Sequence, residues 1–151
     1  MQRVDPELHA VTYAFDAAFR RMCAATDEDA LMAELSNALH YLYRLRELCA
    51  RRLGDTAVRA AETSTADLRG ASAACWARNF DTHQLYATAT LEDVYSDSYT
   101  AMYGVLAWVP LASLPATRDG RGRHLDYAQH LEGRELLGTL RRGFDALAAL
   151  L

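Results

Sequence analysis

One short run of the chain combines residue types that can cleave RNA without a metal ion: Arg-Asn-x-x-x-His, from Arg78 to His83. Neutral imidazole, with an ordinary pKa of ~6.5, is the side chain best suited to take a proton from a 2′-hydroxyl at cellular pH. A guanidinium can donate to two oxygens of the phosphorus-centred transition state at once. The pattern therefore predicts His83 as the general base and Arg78 as the group that stabilises the transition state.

The spacing of these residues constrains the backbone that carries them. Asn79 precedes His83 by four residues, so on an α-helix the two side chains lie about 40° apart and the amide can orient the imidazole. Arg78 and His83 are five residues apart and therefore about 140° apart on a regular helix. The spacing thus predicts either a backbone break near Asp81, or a composite site in which the arginine and the histidine come from two chains.

Strict spacing gives this motif its specificity. An arginine followed by a histidine after four to six residues also occurs from Arg3, Arg118 and Arg123, so the loose pattern carries no information. When asparagine must follow the arginine and histidine must stand five residues on, this composition yields roughly 0.007 matches by chance. The strict pattern occurs once, from Arg78 to His83.

Other chemically suggestive residues each have a plainer interpretation. Cys75, one turn before Asn79, is expected to be a core thiol rather than a nucleophile, because no acid-base group is evident beside it. Tyr95, Tyr99 and Tyr103 have helical spacing, so they either stack on RNA bases or belong to the core or a dimer interface.

The basic residues near the C-terminal third also have two interpretations. Arg118, Arg121 and Arg123 belong to a Gly-containing stretch that we expect to be a basic loop, and they are candidates for contacts with RNA phosphates. A solvated loop is the alternative. Arg78 and His83 themselves have the alternative of a buried polar pair or an exposed helix surface.

Metal and cofactor sites are not predicted by this sequence. The spacing of His124, Asp126 and His130 matches no established metal-ligand pattern, and the carboxylates between 92 and 97 lack further acidic partners for magnesium. No Gly-rich phosphate loop and no Ser-His-Asp arrangement occurs. We therefore expect neither a metal nor a cofactor.

Length and composition predict one helical domain, residues 1–151. The 151 residues include 28 Ala and 22 Leu but only 6 Val and no Ile, which favours an all-α bundle. The net charge of −4 gives no overall basic field for nucleic acid. Three distant cysteines without a CxxC pair exclude a disulfide framework. Without a long apolar run or a signal-peptide pattern, we expect a cytoplasmic protein and no membrane partner.

Two helices are predicted at the start of the chain. The first has Asp5 as its N-cap and Pro6 at its first position, and it runs to about Ala25. The second begins at Thr26 and ends at Gly54. Its apolar stripe comprises Leu31, Leu35, Leu39, Leu42, Leu45, Cys49 and Leu53.

The rest of the chain completes a predicted bundle of four to five helices. A third helix runs from Asp67 to about Arg78, and its small residues at 71–75 allow close approach of a neighbouring helix. Alternation near 103–110 predicts a short extended segment after a helix that breaks at Gly104. A last helix starts at about Glu132 and carries Leu and Phe at bundle spacing.

The Arg-Asn-x-x-x-His run late in a small helical bundle resembles the signature of the HEPN superfamily. Ribonuclease members of that superfamily carry Arg, a polar residue that is often Asn, three to five variable residues, and His. The same arrangement occurs in the nuclease domains of RNA-guided type VI CRISPR effectors and in several bacterial toxins. The later Trp-Val-Pro and Leu-Glu-Gly-Arg segments also resemble uncharacterised HEPN-like proteins of GC-rich bacteria.

This resemblance implies a HEPN-like antiparallel bundle that acts as a metal-independent endoribonuclease of the toxin or phage-defence type. It implies products with a 2′,3′-cyclic phosphate and a 5′-hydroxyl, and a homodimer that combines Arg78 and His83 of two chains in one cleft. RNA is then the substrate and an antitoxin protein a partner. The acidic charge and the segment 103–110 depart from the best-known ribonuclease members. The alternative is a non-catalytic helical bundle that binds a nucleotide or a protein.

Overall fold

Helix-forming sequence dominates the chain, and the computed structural model of the protein is a helical bundle, as the composition predicts. The structure describes residues 5–89, 105–116 and 122–151. Within these ranges, no helix is both long enough and apolar enough to cross a lipid bilayer. The described α-helices are α1 (Pro6–Ala24), α2 (Glu28–Leu53), α3 (Asp55–Glu62), α4 (Ala66–Ala77), α5 (Arg123–His130) and α6 (Leu136–Ala148).

The first two helices follow their sequence signals closely. The Asp5 side chain caps α1 and accepts hydrogen bonds from the N–H groups of Glu7 and Leu8, with a proline at the first helical turn. Asp27, rather than Thr26, caps α2, and its carboxylate accepts from the Ala30 N–H at 2.8 Å.

The apolar stripe of α2 forms much of the core, with one exception. Its members between Leu35 and Cys49 are buried. Leu53, which was predicted to belong to the same stripe, is instead 45% exposed. It is the last residue of α2, and the chain turns away at Gly54, where φ is 91°.

Two short helices, α3 and α5, occupy parts of the chain for which no helix was predicted. Gly54 ends α2 as predicted, yet α3 follows it at once instead of a loop. At the other end, α5 begins at Arg123, within the predicted basic loop, after Gly122 with φ of 67°. Eight residues give too little periodicity for either helix to stand out from sequence.

The last helix begins later than predicted. The residues from Leu131 to Arg134 form a turn in which Gly133 has φ of 70°, so a start at Glu132 is wrong. Helix α6 starts at Leu136, after the N-cap Glu135. The carboxylate of Glu135 accepts from two N–H groups of the first turn.

The extended segment predicted near 103–110 is present as a β-strand. Strand β2 (Val105–Trp108) pairs antiparallel with β1 (Tyr86–Ala89), with Tyr86 opposite Trp108. The indole Nε1 of Trp108 donates to the Thr139 hydroxyl at 2.7 Å, which ties the hairpin to α6. The predicted helix that ends at Gly104 lies outside the described residues.

Small residues bring α4 and α6 together, as the sequence predicts for 71–75. A Cβ placed on Gly143 of α6 lies 3.2 Å from the Cβ of Ala71, closer than ordinary packing allows. On the other side of α6, the rings of Phe15 and Phe144 stack with centroids 3.8 Å apart. The core therefore lies between α1, α2, α4 and α6, and it fixes where α4 ends.

Candidate functional site at the end of helix α4

The Arg-Asn-x-x-x-His motif lies where α4 ends. Arg78 is the C-cap, the Asn79 N–H donates to the Trp76 carbonyl at 3.1 Å, and His83 belongs to a 3₁₀ turn over Thr82–Gln84. A backbone break near Asp81 is therefore present: α4 ends at Ala77, turns continue to Phe80, and Asp81 adopts an extended conformation with ψ of 134°. The helical geometry predicted for Asn79 and His83 is wrong, since neither residue belongs to α4 and an exposed turn separates them.

Helix α2 holds the Arg78 side chain in place. The guanidinium carbon of Arg78 lies 3.8 Å from the centroid of the Tyr43 ring, a cation–π stack. The Arg78 Nε is buried and has no hydrogen-bond partner. Among the described residues, no hydrogen bond reaches the two terminal nitrogens of Arg78 either. The guanidinium is thus fixed by stacking while its terminal donors remain available.

Asn79 and His83 are both exposed. Within the described part of the chain, neither side chain makes a hydrogen bond. Exposure leaves the imidazole accessible to a substrate, but no described residue orients the ring.

An aromatic cluster anchors the turn that carries the motif. Phe80, at a variable position of the motif, packs edge-to-face on Trp76 with ring centroids 5.0 Å apart. Trp76 in turn contacts Tyr127 of α5, whose hydroxyl donates to the Val109 carbonyl at 2.8 Å. The turn is therefore attached to both α4 and α5 through the core.

Cys75 is a core thiol, as predicted. It is 3% exposed, and burial raises its pKa to about 12, with a further increase from Glu62. The positive charges of Arg46, Arg123 and Arg78 oppose this increase. The thiol is therefore protonated and unreactive at neutral pH, and it lies among three arginines from three parts of the sequence.

One of these arginines forms a buried ion pair that sequence analysis missed. The Arg46 Nε and a terminal nitrogen lie 2.5 and 3.3 Å from the two carboxylate oxygens of Glu62, and both residues are 8% exposed. Burial lowers the pKa of Arg46, but the hydrogen bond to Glu62 and the nearby negative charges, chiefly that of Glu62, together outweigh burial, so the net shift is upward. The pair fastens α3 to α2. No local spacing marks it, because its members are 16 residues apart.

Beside this ion pair lies a concave site, which we call the polar pocket. It has a volume of about 170 Å³ and lies between α3, α4 and α5. Residues of both charges and two hydroxyl groups line it: Arg59, Glu62, Thr63, Ser72, Arg123 and Asp126.

Of the remaining predicted RNA-binding residues, the structure describes only Arg123. Arg123 is the first residue of α5 and lines the polar pocket, with its Nε buried and without a hydrogen-bond partner. Arg118, Arg121, Tyr95 and Tyr99 lie outside the described residues.

The residues that were weighed as metal ligands do not form a site in the described structure. Asp126 pairs with Arg69, with 3.3 Å between nitrogen and oxygen. The Nε2 atom of His130 is buried without a hydrogen-bond partner. In residues 5–89, 105–116 and 122–151, no group of three or more His, Cys, Asp or Glu side chains is arranged to hold a metal ion.

No protein-family model, curated protein or solved structure that was compared with this chain matches it. The resemblance to the HEPN superfamily therefore depends specifically on the residues from Arg78 to His83, and only loosely on the bundle around them.

Proposed function

We propose that the protein is a metal-independent endoribonuclease of the toxin or phage-defence type, with Arg78, Asn79 and His83 as its site. The observation that supports this most is the state of Arg78. Its guanidinium is stacked on Tyr43 and its Nε is buried, while its terminal nitrogens have no partner among the described residues. A guanidinium fixed in this way is suited to donate to a scissile phosphate.

The proposed reaction is an attack by the 2′-hydroxyl on the neighbouring phosphorus. The exposed imidazole of His83 accepts the 2′-proton while the 2′-oxygen forms a bond to phosphorus. The bond to the 5′-oxygen breaks, and that oxygen leaves as a 5′-hydroxyl after it takes a proton from solvent. Arg78 stabilises the charge on the phosphate oxygens, and the exposed amide of Asn79 contacts the RNA beside it. The other product end is a 2′,3′-cyclic phosphate.

We propose that the working form is a two-fold homodimer in which Arg78 of one chain and His83 of its partner face one cleft. The exposure of both Asn79 and His83 in the single chain leaves them available to such a contact. Sedimentation at tens of micromolar is expected to give a dimer. A monomer that cleaves RNA would remove the composite site and leave a site within one chain. An antitoxin protein is the second expected partner.

One observation favours the alternative of a non-catalytic module that binds a nucleotide or a protein. Because no described residue orients the His83 ring, the isolated chain has no preorganised base. Such a module is expected to be inert on tRNA, mRNA and ribosomal RNA.

The deciding experiment measures RNA cleavage in EDTA for matched variants. His83→Ala and Arg78→Ala are each expected to lose ~10² or more of the activity, because they remove the base and the charge-stabilising donor. Asn79→Ala is expected to lose less. His9→Ala and Arg44→Ala are the matched controls, since both residues are exposed and lie outside the motif.

Three results would contradict the proposed enzyme: inert wild type, equal cleavage by His83→Ala, or activity that is abolished by EDTA and restored by magnesium or zinc. Activity should also fall at acidic pH, because the imidazolium cannot accept the 2′-proton. Mapping of product ends checks for the 2′,3′-cyclic phosphate.

A further inference from the structure

Among the described residues, the polar pocket and its ion-pair partners carry more positive than negative charge. Its carboxylates are already engaged, since Glu62 pairs with Arg46 and Asp126 pairs with Arg69. Of its two arginines, Arg59 pairs with Asp55 at 2.5 Å. Arg123 has no carboxylate partner among the described residues.

In the part of the chain that the structure describes, four guanidinium groups therefore meet three carboxylates around the polar pocket, and Arg123 is the guanidinium without a carboxylate partner there. The Nε of Arg123 is buried without a hydrogen-bond partner. Burial of an unpaired charged donor is unfavourable unless an acceptor occupies the space in front of it. An anionic acceptor would satisfy this donor and also balance the excess of guanidinium groups among the described residues.

A second, independent donor lies in the same pocket. Ser72 of α4 is only 5% exposed, and its hydroxyl makes no hydrogen bond within the described part of the chain. The pocket also lies at the first turn of α5, where Arg123 follows the N-cap Gly122 and no side chain caps the helix. A helix N-terminus adds to the attraction for an anion, although Arg123 and Ser72 define the site.

Size and depth restrict the ligand. A pocket of about 170 Å³ holds several water molecules or a tetrahedral oxyanion. Because Ser72 is almost fully buried, only a group at the end of a ligand can reach its hydroxyl. A terminal phosphate has several oxygens that can accept hydrogen bonds from the guanidinium and the hydroxyl together. A phosphodiester in the middle of a strand cannot extend far enough into the pocket to do so.

We infer that the polar pocket binds a terminal phosphate monoester, that of a nucleotide or of an RNA 5′ end, through Arg123 and Ser72. This binding does not rest on RNA cleavage at Arg78 and His83, because it can be measured without turnover. The pocket and the motif are carried by different residues, so failure of one leaves the other testable.

Calorimetric titration with inorganic phosphate tests the site itself. Wild type should bind phosphate saturably, Arg123→Ala should bind at least about tenfold more weakly, and Ser72→Ala a few-fold more weakly, as expected for loss of a charge-assisted and a neutral hydrogen bond. Arg21→Ala is the matched control, because Arg21 is an exposed arginine paired with Glu34 on another face. If Arg123→Ala does not fold, Arg123→Lys takes its place. This variant keeps the positive charge but lacks the planar, forked guanidinium, so it is also expected to bind phosphate more weakly than wild type.

Further titrations identify the source of the phosphate. In the Arg78→Ala variant, which weakens RNA contacts at the motif turn, equal affinity for 5′-AMP and a 5′-phosphorylated RNA octamer assigns a free nucleotide. Tighter binding of the octamer there assigns an RNA end. The proposal is overturned if phosphate does not bind to wild type, or if Arg123→Ala binds it as well as wild type does. It is also overturned if, in the Arg78→Ala variant, a 5′-hydroxyl octamer binds as tightly as the 5′-phosphorylated one.

Discussion

The motif turn at Arg78–His83 and the polar pocket each place an arginine whose charge acts on the Cys75 thiol, but they are built in opposite ways. The motif turn is contiguous in sequence, and two of its three motif side chains, Asn79 and His83, are exposed without partners among the described residues. The polar pocket draws its residues from three helices, and most of its charges are paired inside the fold. The motif turn presents reactive side chains that few contacts hold in place. The polar pocket is held by ion pairs, and few of its polar groups are left to bind a ligand.

The three arginines near Cys75 differ in the same respect, namely whether other residues of the fold satisfy their hydrogen-bond donors. Arg46 is satisfied by Glu62 through two hydrogen bonds. Arg78 and Arg123 each keep a buried Nε without a partner, one against the Tyr43 ring and the other in the polar pocket. A satisfied buried arginine has a structural role, whereas an unsatisfied one is a candidate for binding an external anion.

Breaking the Arg46–Glu62 pair should have the largest effect on the fold. Glu62→Ala leaves the buried Arg46 guanidinium with only the half-exposed Asp55 carboxylate, 3.6 Å away, as a partner. We therefore expect a loss towards the lower end of about 3–5 kcal/mol in the free energy of unfolding. Urea titration measures this loss. Glu47→Ala removes the exposed partner of Arg44 and should cost less than about 1 kcal/mol.

The Glu62→Ala variant also separates the two regions. At a temperature where it is folded, phosphate binding at the polar pocket should be impaired while RNA cleavage at the motif turn is retained. An equal loss from Glu62→Ala and Glu47→Ala would show that the buried pair is not what fastens α3.

Replacing the ring under Arg78 should have an intermediate effect on the motif turn alone. Tyr43→Leu removes the cation–π stack, which contributes about 0.5–2 kcal/mol, so RNA cleavage should fall about 2- to 30-fold. Tyr43→Phe keeps the ring and should retain most of the activity. Phosphate binding at the polar pocket should not change in either variant. Similar losses of RNA cleavage in Tyr43→Leu and Tyr43→Phe would contradict the idea that stacking on the ring positions Arg78.

The smallest expected effect concerns the Cys75 thiol, on which charges of both regions act. Its pKa is raised from 9.0 to about 12 in the folded chain, so the folded state holds the proton more tightly than the unfolded state does. Its contribution to stability is complete below pH 9 and is lost as the pH rises towards 12. Between pH 9 and pH 10 the expected change in unfolding free energy is about 1 kcal/mol.

Two cysteine variants separate the effect of the Cys75 thiol from that of other groups that titrate at alkaline pH. Cys75→Ala should flatten the decline of unfolding free energy above pH 9, whatever it costs at neutral pH. Cys23→Ala, at an exposed cysteine whose pKa is also raised by partial burial, should change the slope less than Cys75→Ala does. Identical slopes in wild type and Cys75→Ala would mean that the thiol titrates as it does in the unfolded chain.

Local signals made the helices α1, α2 and α4 predictable. The cap of α1 at Asp5, the stop at Gly54 and the 3.6-residue stripe of α2 act within one or two helical turns, so they can be read without knowledge of the fold. The strand at 105–108 was predicted from its alternation, but its partner β1 was not. The motif residues were found the same way, because they are contiguous.

Tertiary structure decided everything that depends on residues far apart in the chain. The sequence determined the residue types from Arg78 to His83, but only the fold showed that α4 ends before Asn79 and that Tyr43, 35 residues upstream of Arg78, supports the guanidinium. Likewise, only the fold brings Ser72 and Arg123 to one pocket. The physical reason is that caps and periodicity are local properties of the backbone, whereas ion pairs, stacking and cavities depend on which helices pack against each other.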